Sequence, residues 1–333
     1  MPPPHRRRRD TSSTSTPVHV AVTGDVGFVV PPTQGHEDEP VLEPIWYPGG
    51  LVDASLLTGY DEHATRRIWD GESRDPQRFC IHGRKIKNLA QPNEPWFHEV
   101  LEASGMRDLC MLGYETIHNS MLAAFAERWH PETSLFHLLH SEITIILDDV
   151  ACLLHLPIRG ILLCHSRLTN AKAQDMLIAE SRGDPDDALE EVERTRSAHV
   201  RFRFLQRHYD AMLTAAQHAE GGELEQATHR ERALRCYFLY LIGTHLFVDT
   251  SSSYTDVVYV TYLSDMTRIH EYNWGAVVLA YIYHRLGEEC LWKARTVAGN
   301  WLDTTALSIH YWLGRGRGVH RGHAACQCFH PPS

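Results

Sequence analysis

The chain has 333 residues, of which 43% are hydrophobic and 22% charged, a composition typical of a folded globular protein. Its longest apolar run, residues 236–248, is too short for a membrane-spanning helix, which needs about 20 residues. The formal net charge is −10, or −14 without the four arginines at positions 6–9, and so acidic a body is a poor generic partner for nucleic acid, because non-specific affinity comes mainly from cations that neutralise phosphates.

The N-terminal tail, residues 1–40, contains a proline run, four arginines and a Ser/Thr tract, which together predict disorder. Its basic cluster predicts nuclear import, since import receptors bind exposed basic runs; the alternative is a merely solubilising tail. The cluster consists of Arg6, Arg7, Arg8 and Arg9. The eight cysteines are mostly far apart and follow no secretory signal, so we expect a reducing intracellular compartment.

The ordered domain is predicted to begin at Pro48, with Asp53 as the N-cap of its first short helix. Residues 64–69 form another helical segment. Glycines, prolines and charges then indicate loops, with one extended piece around residues 78–81. A helix over residues 96–103 leads into the central part of the chain.

The central segment has the clearest secondary-structure pattern in the sequence. It predicts a helix, a short β-hairpin and a second helix. The first helix is predicted over residues 117–129, because Pro131 disfavours the helical state at the residue before it. Two short strands are predicted over residues 133–139 and 143–147, where β-branched and aromatic residues are frequent. The unit must bury its apolar face against other elements.

The second helix of this segment is predicted to begin at the acidic pair Asp148 and Asp149, since carboxylates there accept hydrogen bonds from free amides. With Glu142, the pair also resembles the remains of a two-metal phosphoryl-transfer site, but capping explains it more simply. Arg128, at the end of the first helix, is expected near these acids and predicts an ion pair that ties the first helix to the second.

Helices dominate the prediction beyond residue 160. They cover residues 168–181, residues 227–247 with a broad apolar stripe, and residues 274–286, which Asn273 caps. Residues 257–268 fit a helix and a strand equally well.

An acidic stretch at residues 183–193 precedes one in which arginines alternate with aromatic residues. This alternation is typical of a nucleic-acid surface, where cations hold phosphates and rings stack on bases. The alternative is an amphipathic helix with its arginines in water and its aromatic residues in the core, which the usual burial of aromatic residues favours. The two stretches either pair with each other or form separate solvated faces. The residues concerned are Arg194, Arg196, Arg201, Phe202, Arg203, Phe204, Arg207 and Tyr209.

No catalytic constellation is recognisable. An aminotransferase needs a lysine beside a phosphate cradle, and none of the four lysines lies near a glycine-rich turn. No P-loop or G-x-S-x-G motif occurs. His130, His137 and His140 crowd the central hairpin, but their positions do not favour metal ligation. We therefore expect no enzymatic activity, no cofactor and no bound metal.

Several blocks occur in order along residues 48–301: DASLLTGYDEHATRRIWDGE, ERWHPETSLFHL with SEITIILDDVACLLHLPIRG, RCYFLYLIGTHLFVD, and EYNWGAVVLAYIYHRL. They resemble the motifs of the plant mobile domain family, the aminotransferase-like group that includes Maintenance-of-Meristems-like and phosphatase 7 long-form-like proteins. The chain departs from the family pattern at the hairpin turn, residues 139–142, which lacks the usual glycine. It also has Ile146 where relatives tend to have threonine, and the pattern stops after Trp301.

The predicted fold is mainly α, a single multi-helix domain over residues 48–301 with a small inserted β-hairpin. Residues 302–333 form an atypical tail that is predicted to be disordered. The resemblance implies a nuclear, non-enzymatic protein-interaction domain with a role in meristem maintenance, genome stability and transposable-element silencing. It also implies phosphatase-like or chromatin-silencing proteins as partners.

Two alternatives are a metal-dependent enzyme relic derived from a transposase and a direct nucleic-acid binder. The residues that match the family motifs are predicted to specify the fold first and to bind partners second. They are Arg128, Trp129, Glu132, Thr133, Phe136, His137, Glu142, Asp149, Trp274 and Gly275.

Overall fold

The computed structural model describes residues 57–80, 82–111, 119–138, 142–181, 185–195, 197–251 and 253–298. All of them belong to one compact unit of the chain. Several sequence-based predictions lie outside the described residues: both tails, the nuclear-targeting arginines, the N-cap Asp53, and the hairpin turn with His140.

Most of the described chain is helical, because apolar residues recur every three to four positions along it. The predicted fold class, mainly α with a small β element, is confirmed. The α-helices are α1 (Ala64–Trp69), α2 (Pro95–Ala103), α3 (Asn119–Ala126), α4 (Leu147–Leu154), α5 (Asn170–Ser181), α6 (Pro185–Thr195), α7 (Phe202–Gln217), α8 (Glu223–Leu241) and α9 (Trp274–Glu289). Within the described ranges, no helix combines the length and apolarity that crossing a bilayer requires.

The strands are short and form small separate sheets. They are β1 (Arg78–Cys80), β2 (Trp129–His130), β3 (Leu135–His137), β4 (Glu142–Ile143), β5 (His199–Arg201), β6 (Tyr254–Asp256) and β7 (Thr296–Ala298). Strand β1 pairs in parallel with β7, β5 pairs antiparallel with β6, and β2, β3 and β4 form an antiparallel sheet in that order. Strand β1 confirms the extended piece predicted around residues 78–81.

The centre of the core lies where α7 and α8 pack along each other. Tyr209 and Tyr237 are fully buried there with ring centroids 5.9 Å apart, and Phe97 meets Tyr237 edge to face at 5.0 Å. The Tyr209 hydroxyl donates to the carbonyl oxygen of Ala90, and the Tyr237 hydroxyl accepts from the Gln91 amide, each at 2.6 Å. Because both hydroxyls have partners, their burial carries little desolvation penalty.

The central segment differs from its prediction in the position of the first helix end. Helix α3 ends at Ala126, and Trp129 with His130 forms strand β2, because their backbones pair with Phe136 and Leu135. The predicted two-stranded hairpin is therefore a three-stranded sheet. Its other two strands are shorter than predicted.

The segment that fitted both helix and strand is neither an α-helix nor a strand. It forms two 3-10 helices, Val257–Tyr262 and Met266–Glu271, which are capped by the side chains of Asp256 and Asp265. The long helix predicted over residues 227–247 is α8 followed by a π-helical turn, Ile242–Leu246. Such turns interrupt regular helices and are frequent at functional sites.

Candidate functional site

Three aromatic rings join the central sheet to α9. Trp129 and Phe136 are fully buried with ring centroids 4.8 Å apart, and the ring of Tyr283 lies 4.9 Å from that of Trp129. The Tyr283 hydroxyl donates to the carbonyl oxygen of Ile145 at 2.6 Å. Two of the predicted motif residues thus serve packing, and a tyrosine from a distant part of the chain completes their cluster.

Three histidine rings pack together at the same sheet, two of them from its strands. The rings of His63 and His130 are parallel with centroids 4.5 Å apart, and that of His137 meets His130 edge to face at 4.4 Å. His63 Nε2 donates to the carbonyl oxygen of Trp129, and its Nδ1 accepts from the amide of Thr65. Burial lowers the pKa of His63 and lowers that of His130 to about 3, so both rings are neutral at pH 7.

The described groups around this histidine cluster do not form a metal site. His137 Nδ1 lies 3.2 Å from the Glu142 carboxylate across the β3–β4 pair, while its Nε2 and the Nδ1 of His130 are buried without a hydrogen-bond partner. Across the described ranges, no group of three or more His, Cys, Asp or Glu side chains is arranged to hold a metal ion. The cluster is a packed contact between α1 and the sheet.

Two exposed motif residues hold the turn between β2 and β3. The Glu132 carboxylate accepts from the backbone amide of Gly59 at 2.7 Å, and the Thr133 hydroxyl donates to the carbonyl oxygen of His130 at 3.4 Å. The next residue, Ser134, has a φ of 55°. These bonds fix a turn whose backbone is costly for a residue other than glycine.

Helix α4 begins one residue before the predicted acidic pair, with Ile146 at the N-cap position. The Asp149 carboxylate accepts from the amide of Ile146 at 2.8 Å, which is one half of a capping box. The other half is missing, because isoleucine has no side-chain oxygen to accept from the amide at position 149. Asp148 lies exposed in the first turn, where it complements the helix dipole.

The predicted ion pair of Arg128 with the acids of α4 is wrong. Its guanidinium donates to the carbonyl oxygen of Ala124, and it forms no ion pair with any other described residue. The arginine that braces this region is Arg74, whose side chain is only 6% exposed and lies 3.4 Å from the Glu127 carboxylate. It also donates to the carbonyl oxygens of Glu289, Leu291 and Ala294. No local sequence pattern indicates this brace, because these carbonyls lie more than 200 positions further along the chain.

An extended connection between α4 and α5, residues 155–169, is here called the strap. Its backbone is held at the start of α9 by two bonds: the Gly275 amide donates to the carbonyl oxygen of Pro157, and the Asn273 amide donates to that of Ile161. The amide of Ile161 donates to the carbonyl oxygen of Glu271. The motif residue Gly275 therefore positions the strap.

Close backbone approach explains the two glycines at this junction. A Cβ atom at Gly275 would lie 2.7 Å from a methyl carbon of Ile158, and one at Gly160 would lie 2.1 Å from the carbonyl oxygen of Glu271. Trp274, the neighbouring motif residue, is fully buried and donates its indole N–H to the carbonyl oxygen of Ile269. The strap is thus held by backbone hydrogen bonds and tight packing along one side.

The strap leaves two adjacent apolar side chains in solvent. Ile161 is 47% exposed and Leu162 is 64% exposed. We call these two residues the strap ridge. Because its backbone is already ordered, the ridge can bind a partner with little further loss of conformational entropy.

The arginine-rich stretch pairs with the acidic one, which was one of the two alternatives. The Arg201 guanidinium makes three hydrogen bonds to the buried carboxylate of Glu191, and Arg207 lies 3.0 Å from Asp187. The aromatic residues in this stretch are in the core, so they do not offer faces for stacking on bases. They are Phe202, Phe204 and Tyr209.

The ten motif residues therefore fall into two groups. One group lies in or next to the central sheet, and the other, Trp274 and Gly275, lies at the start of α9. Helix α4 connects them, since a Cβ atom at Gly275 would lie 3.5 Å from a methyl carbon of Val150. The sequence did not indicate His63, Arg74, Gly160 or Tyr283, each of which has a contact far along the chain that places it here.

Comparison with known proteins gives one family and several curated relatives. The family model described as Plant mobile domain matches residues 105–301. In Arabidopsis thaliana, the chain is 30% identical to Protein MAIN-LIKE 1 over 75% of this chain and 46% of that protein. It is 26% identical to Protein MAINTENANCE OF MERISTEMS over 70% of this chain and 45% of that protein. It is 27% identical to the Serine/threonine-protein phosphatase 7 long form homolog over 75% of this chain and 17% of that protein. The chain spans less than half the length of these relatives. No solved structure matches it significantly.

Proposed function

The chain belongs to the plant mobile domain family, and we propose that it acts in the nucleus as a non-enzymatic protein-interaction domain. The observation that carries this proposal is the strap ridge, where Ile161 and Leu162 project into solvent from a fixed backbone. Exposed apolar side chains on an ordered element offer a partner apolar contact area at a low cost in conformational entropy. The motif residue Gly275 holds the same strap a few positions earlier, through its bond to the carbonyl oxygen of Pro157 and its tight packing on Ile158.

The biological role that we propose draws on the names of two relatives and on the resemblance of the sequence motifs to the family. One of them is named for the maintenance of meristems, and another is named as a phosphatase long form homolog. For this chain we propose a role in meristem maintenance, genome stability and transposable-element silencing. Its partners in that role are nuclear proteins, among them phosphatase-like or chromatin-silencing proteins.

The test is affinity purification of the tagged chain from nuclease-treated plant nuclei, followed by mass spectrometry. We compare Leu162→Asp with Leu224→Asp, a matched control in which the substituted leucine is also exposed but lies at the start of α8. Loss of an interface hot spot costs about 2 kcal/mol, so the ridge variant should recover its partners at least roughly tenfold less well. The control should recover them like the wild-type chain. Equal recovery by both variants would refute the ridge as the contact surface.

Nuclear localisation is tested separately with a fluorescent fusion. Replacing Arg6, Arg7, Arg8 and Arg9 with alanine should shift the fusion toward the cytoplasm, because the basic run that an import receptor would bind is then absent. A fusion that stays as nuclear as the wild type would assign its import to another segment or to a partner.

The metal-dependent alternative makes a different prediction. It requires a divalent cation that binds through Asp149, so that Asp149→Ala abolishes binding. The Asp149 carboxylate already accepts the amide of Ile146, and we expect calorimetric titration with Mn²⁺ to show no binding that depends on this residue. Saturable binding that the variant loses would favour the enzyme relic.

A further inference from the structure

A polar cavity of about 280 Å³ lies on another part of the surface, between the end of the π-helical turn, strand β6 and the last turns of α9. It shares no residue with the strap. Four aromatic residues form much of its wall: Phe247, Tyr254, Tyr259 and Tyr281. We call this cavity the ring pocket.

The rings of the pocket are held in place before any ligand enters. Phe247 and Tyr259 are stacked with centroids 4.4 Å apart and 14° between their planes, and Tyr281 meets Phe247 edge to face at 5.3 Å. The Tyr281 hydroxyl donates to the carbonyl oxygen of Val248. Burial raises the pKa of both Tyr259 and Tyr281, so their phenols stay neutral. The pocket therefore presents ordered, uncharged π systems.

The charge of the pocket is negative. Three carboxylates line it, those of Asp249, Asp256 and Glu288, against a single guanidinium, that of Arg285. Two imidazoles, those of His199 and His284, complete the titratable lining. Arg285 lies 2.5 Å from Glu288 and 3.7 Å from Asp249, and its side chain is mostly buried. It also contacts Glu289 at 3.2 Å, which adds a further carboxylate beneath the pocket. An incoming cation thus meets more carboxylate charge than Arg285 neutralises.

The lining of the pocket also contains a hydroxyl oxygen without a hydrogen-bond partner. Thr255 lines the pocket and is 4% exposed, and its hydroxyl oxygen is buried with no hydrogen-bond partner. It packs against the backbone of Gly243 in the π-helical turn, where a Cβ atom would lie 2.4 Å from that oxygen. A buried hydroxyl without a partner is costly, and a ligand that donated an N–H to it would remove that cost.

We propose that the ring pocket binds an alkylammonium group that carries at least one N–H, such as the side-chain end of lysine. Aromatic faces attract such a cation, and the carboxylates accept hydrogen bonds from it. A fully methylated ammonium would use the rings but could not donate to the carboxylates. The ammonium is supplied either by a lysine of a bound peptide, which rests on the proposed interaction function, or by a free polyamine.

The first experiment is an NMR titration of the isotope-labelled full chain with N-acetyl-lysine methylamide, followed through its backbone amide signals. The neutral isostere N-acetyl-norleucine methylamide and the trimethylated lysine derivative serve as comparison ligands. We expect saturable shifts at residues of the pocket with the lysine derivative, weaker binding of the trimethylated form, and none with norleucine. Equal binding of the lysine and norleucine derivatives, or shifts elsewhere only, would overturn the proposal.

The matched variants are Glu288→Gln and Glu190→Gln. Both glutamates are about half exposed and both pair with an arginine of their own helix, but Glu190 lies in α6, outside the pocket. Loss of one partly exposed carboxylate should weaken lysine binding about two- to fivefold in Glu288→Gln. Glu190→Gln should bind like the wild type. Equal weakening by both variants would reduce the effect to general surface charge and refute the site.

Two further ligands separate the sources of the ammonium. Tighter binding of a lysine peptide flanked by glycine and serine than of spermidine would assign the pocket to a peptide, and the reverse order would assign it to a polyamine. Failure of both would refute the pocket, whereas the strap ridge would still be judged by the purification with Leu162→Asp. The two proposals can thus fail independently.

Discussion

The imidazole rings of His63 and His130 lie parallel, with 4.5 Å between their centroids and 4° between their planes. This contact joins the N-cap of α1 to strand β2. His137, Glu132 and Arg74 are the other charged or titratable groups that act on His63, and His137 also faces His130. Protonation of either stacked ring would place a charge in a nearly dry contact, so this contact between His63 and His130 is most stable when both rings are neutral.

We predict that the domain loses stability below neutral pH. The folded-state pKa of His130 is lowered from 6.5 to about 3 and that of His82 to about 4. The unfolded chain therefore binds more protons in this range, and stability is complete above the unfolded pKa and falls as the pH decreases. Each such histidine contributes a slope of up to about 1.4 kcal/mol per pH unit.

The measurement is urea denaturation between about pH 7.5 and about pH 5.5, where most unfolded carboxylates remain ionised. His130→Phe keeps a ring at the position and should show a shallower pH dependence than the wild type. His98→Phe removes an exposed histidine and should leave the dependence unchanged. An unaltered slope in His130→Phe would assign the acid sensitivity to other groups.

The N-cap of α4 gives a second prediction. Ile146 is 48% exposed, and the Asp149 carboxylate already accepts from its amide. Ile146→Thr would supply the missing oxygen for the amide at position 149 and complete the capping box, which should raise the free energy of unfolding by about 1 kcal/mol. Ile146→Val has the same branched shape without the hydroxyl and serves as the control. If both variants have the same stability by chemical denaturation, the hydroxyl does not cap the helix.

Features set by neighbouring residues could be predicted from the sequence. Helix α1 spans the predicted residues, α2 begins one residue early, and the Asn273 side chain accepts from the amide of Ala276 as an N-cap should. These elements depend on apolar spacing, a proline or a capping side chain within a few positions. The fold class follows from the same local signals.

Features set by distant pairing could not be predicted. Trp129 continues a helical pattern in sequence, yet its backbone pairs with Phe136 and becomes a strand. Strand β1 finds its parallel partner β7 more than 200 positions later, and the carbonyl partners of Arg74 lie in the same distant segment. No local pattern carries such information. The motif residues could therefore be identified from the sequence, whereas the distant residues that hold them in place could be identified only from the structure.

The two arginines near α3 should differ strongly in their contribution to stability. Arg74→Ala leaves the Glu127 carboxylate without its cation and removes donors from three carbonyl oxygens, so we expect a loss of about 3 kcal/mol. Arg128→Ala removes one hydrogen bond to the carbonyl oxygen of Ala124 and should cost about 1 kcal/mol. Chemical denaturation of the two variants under the same conditions makes the comparison. A larger loss of stability in Arg128→Ala than in Arg74→Ala would contradict the assignment of the brace to Arg74.

The last prediction concerns Gly160 of the strap, with Gly71, which follows α1 and also has a positive φ, as its control. Gly160 has a φ of 121°, and a Cβ atom there would lie 2.1 Å from the carbonyl oxygen of Glu271; Gly71 has a φ of 87° and open space around it. Both alanine variants carry backbone strain of about 1 kcal/mol. Gly160→Ala must also displace the strap and break its hydrogen bonds with Glu271 and Asn273, so its loss should exceed about 3 kcal/mol. Hydrogen exchange should show the amides of Ile161 and Asn273 losing protection in this variant and keeping it in Gly71→Ala. Equal losses of stability in the two variants, with both amides still protected, would mean that the strap tolerates a side chain at its closest approach and is not held as tightly as its hydrogen bonds indicate.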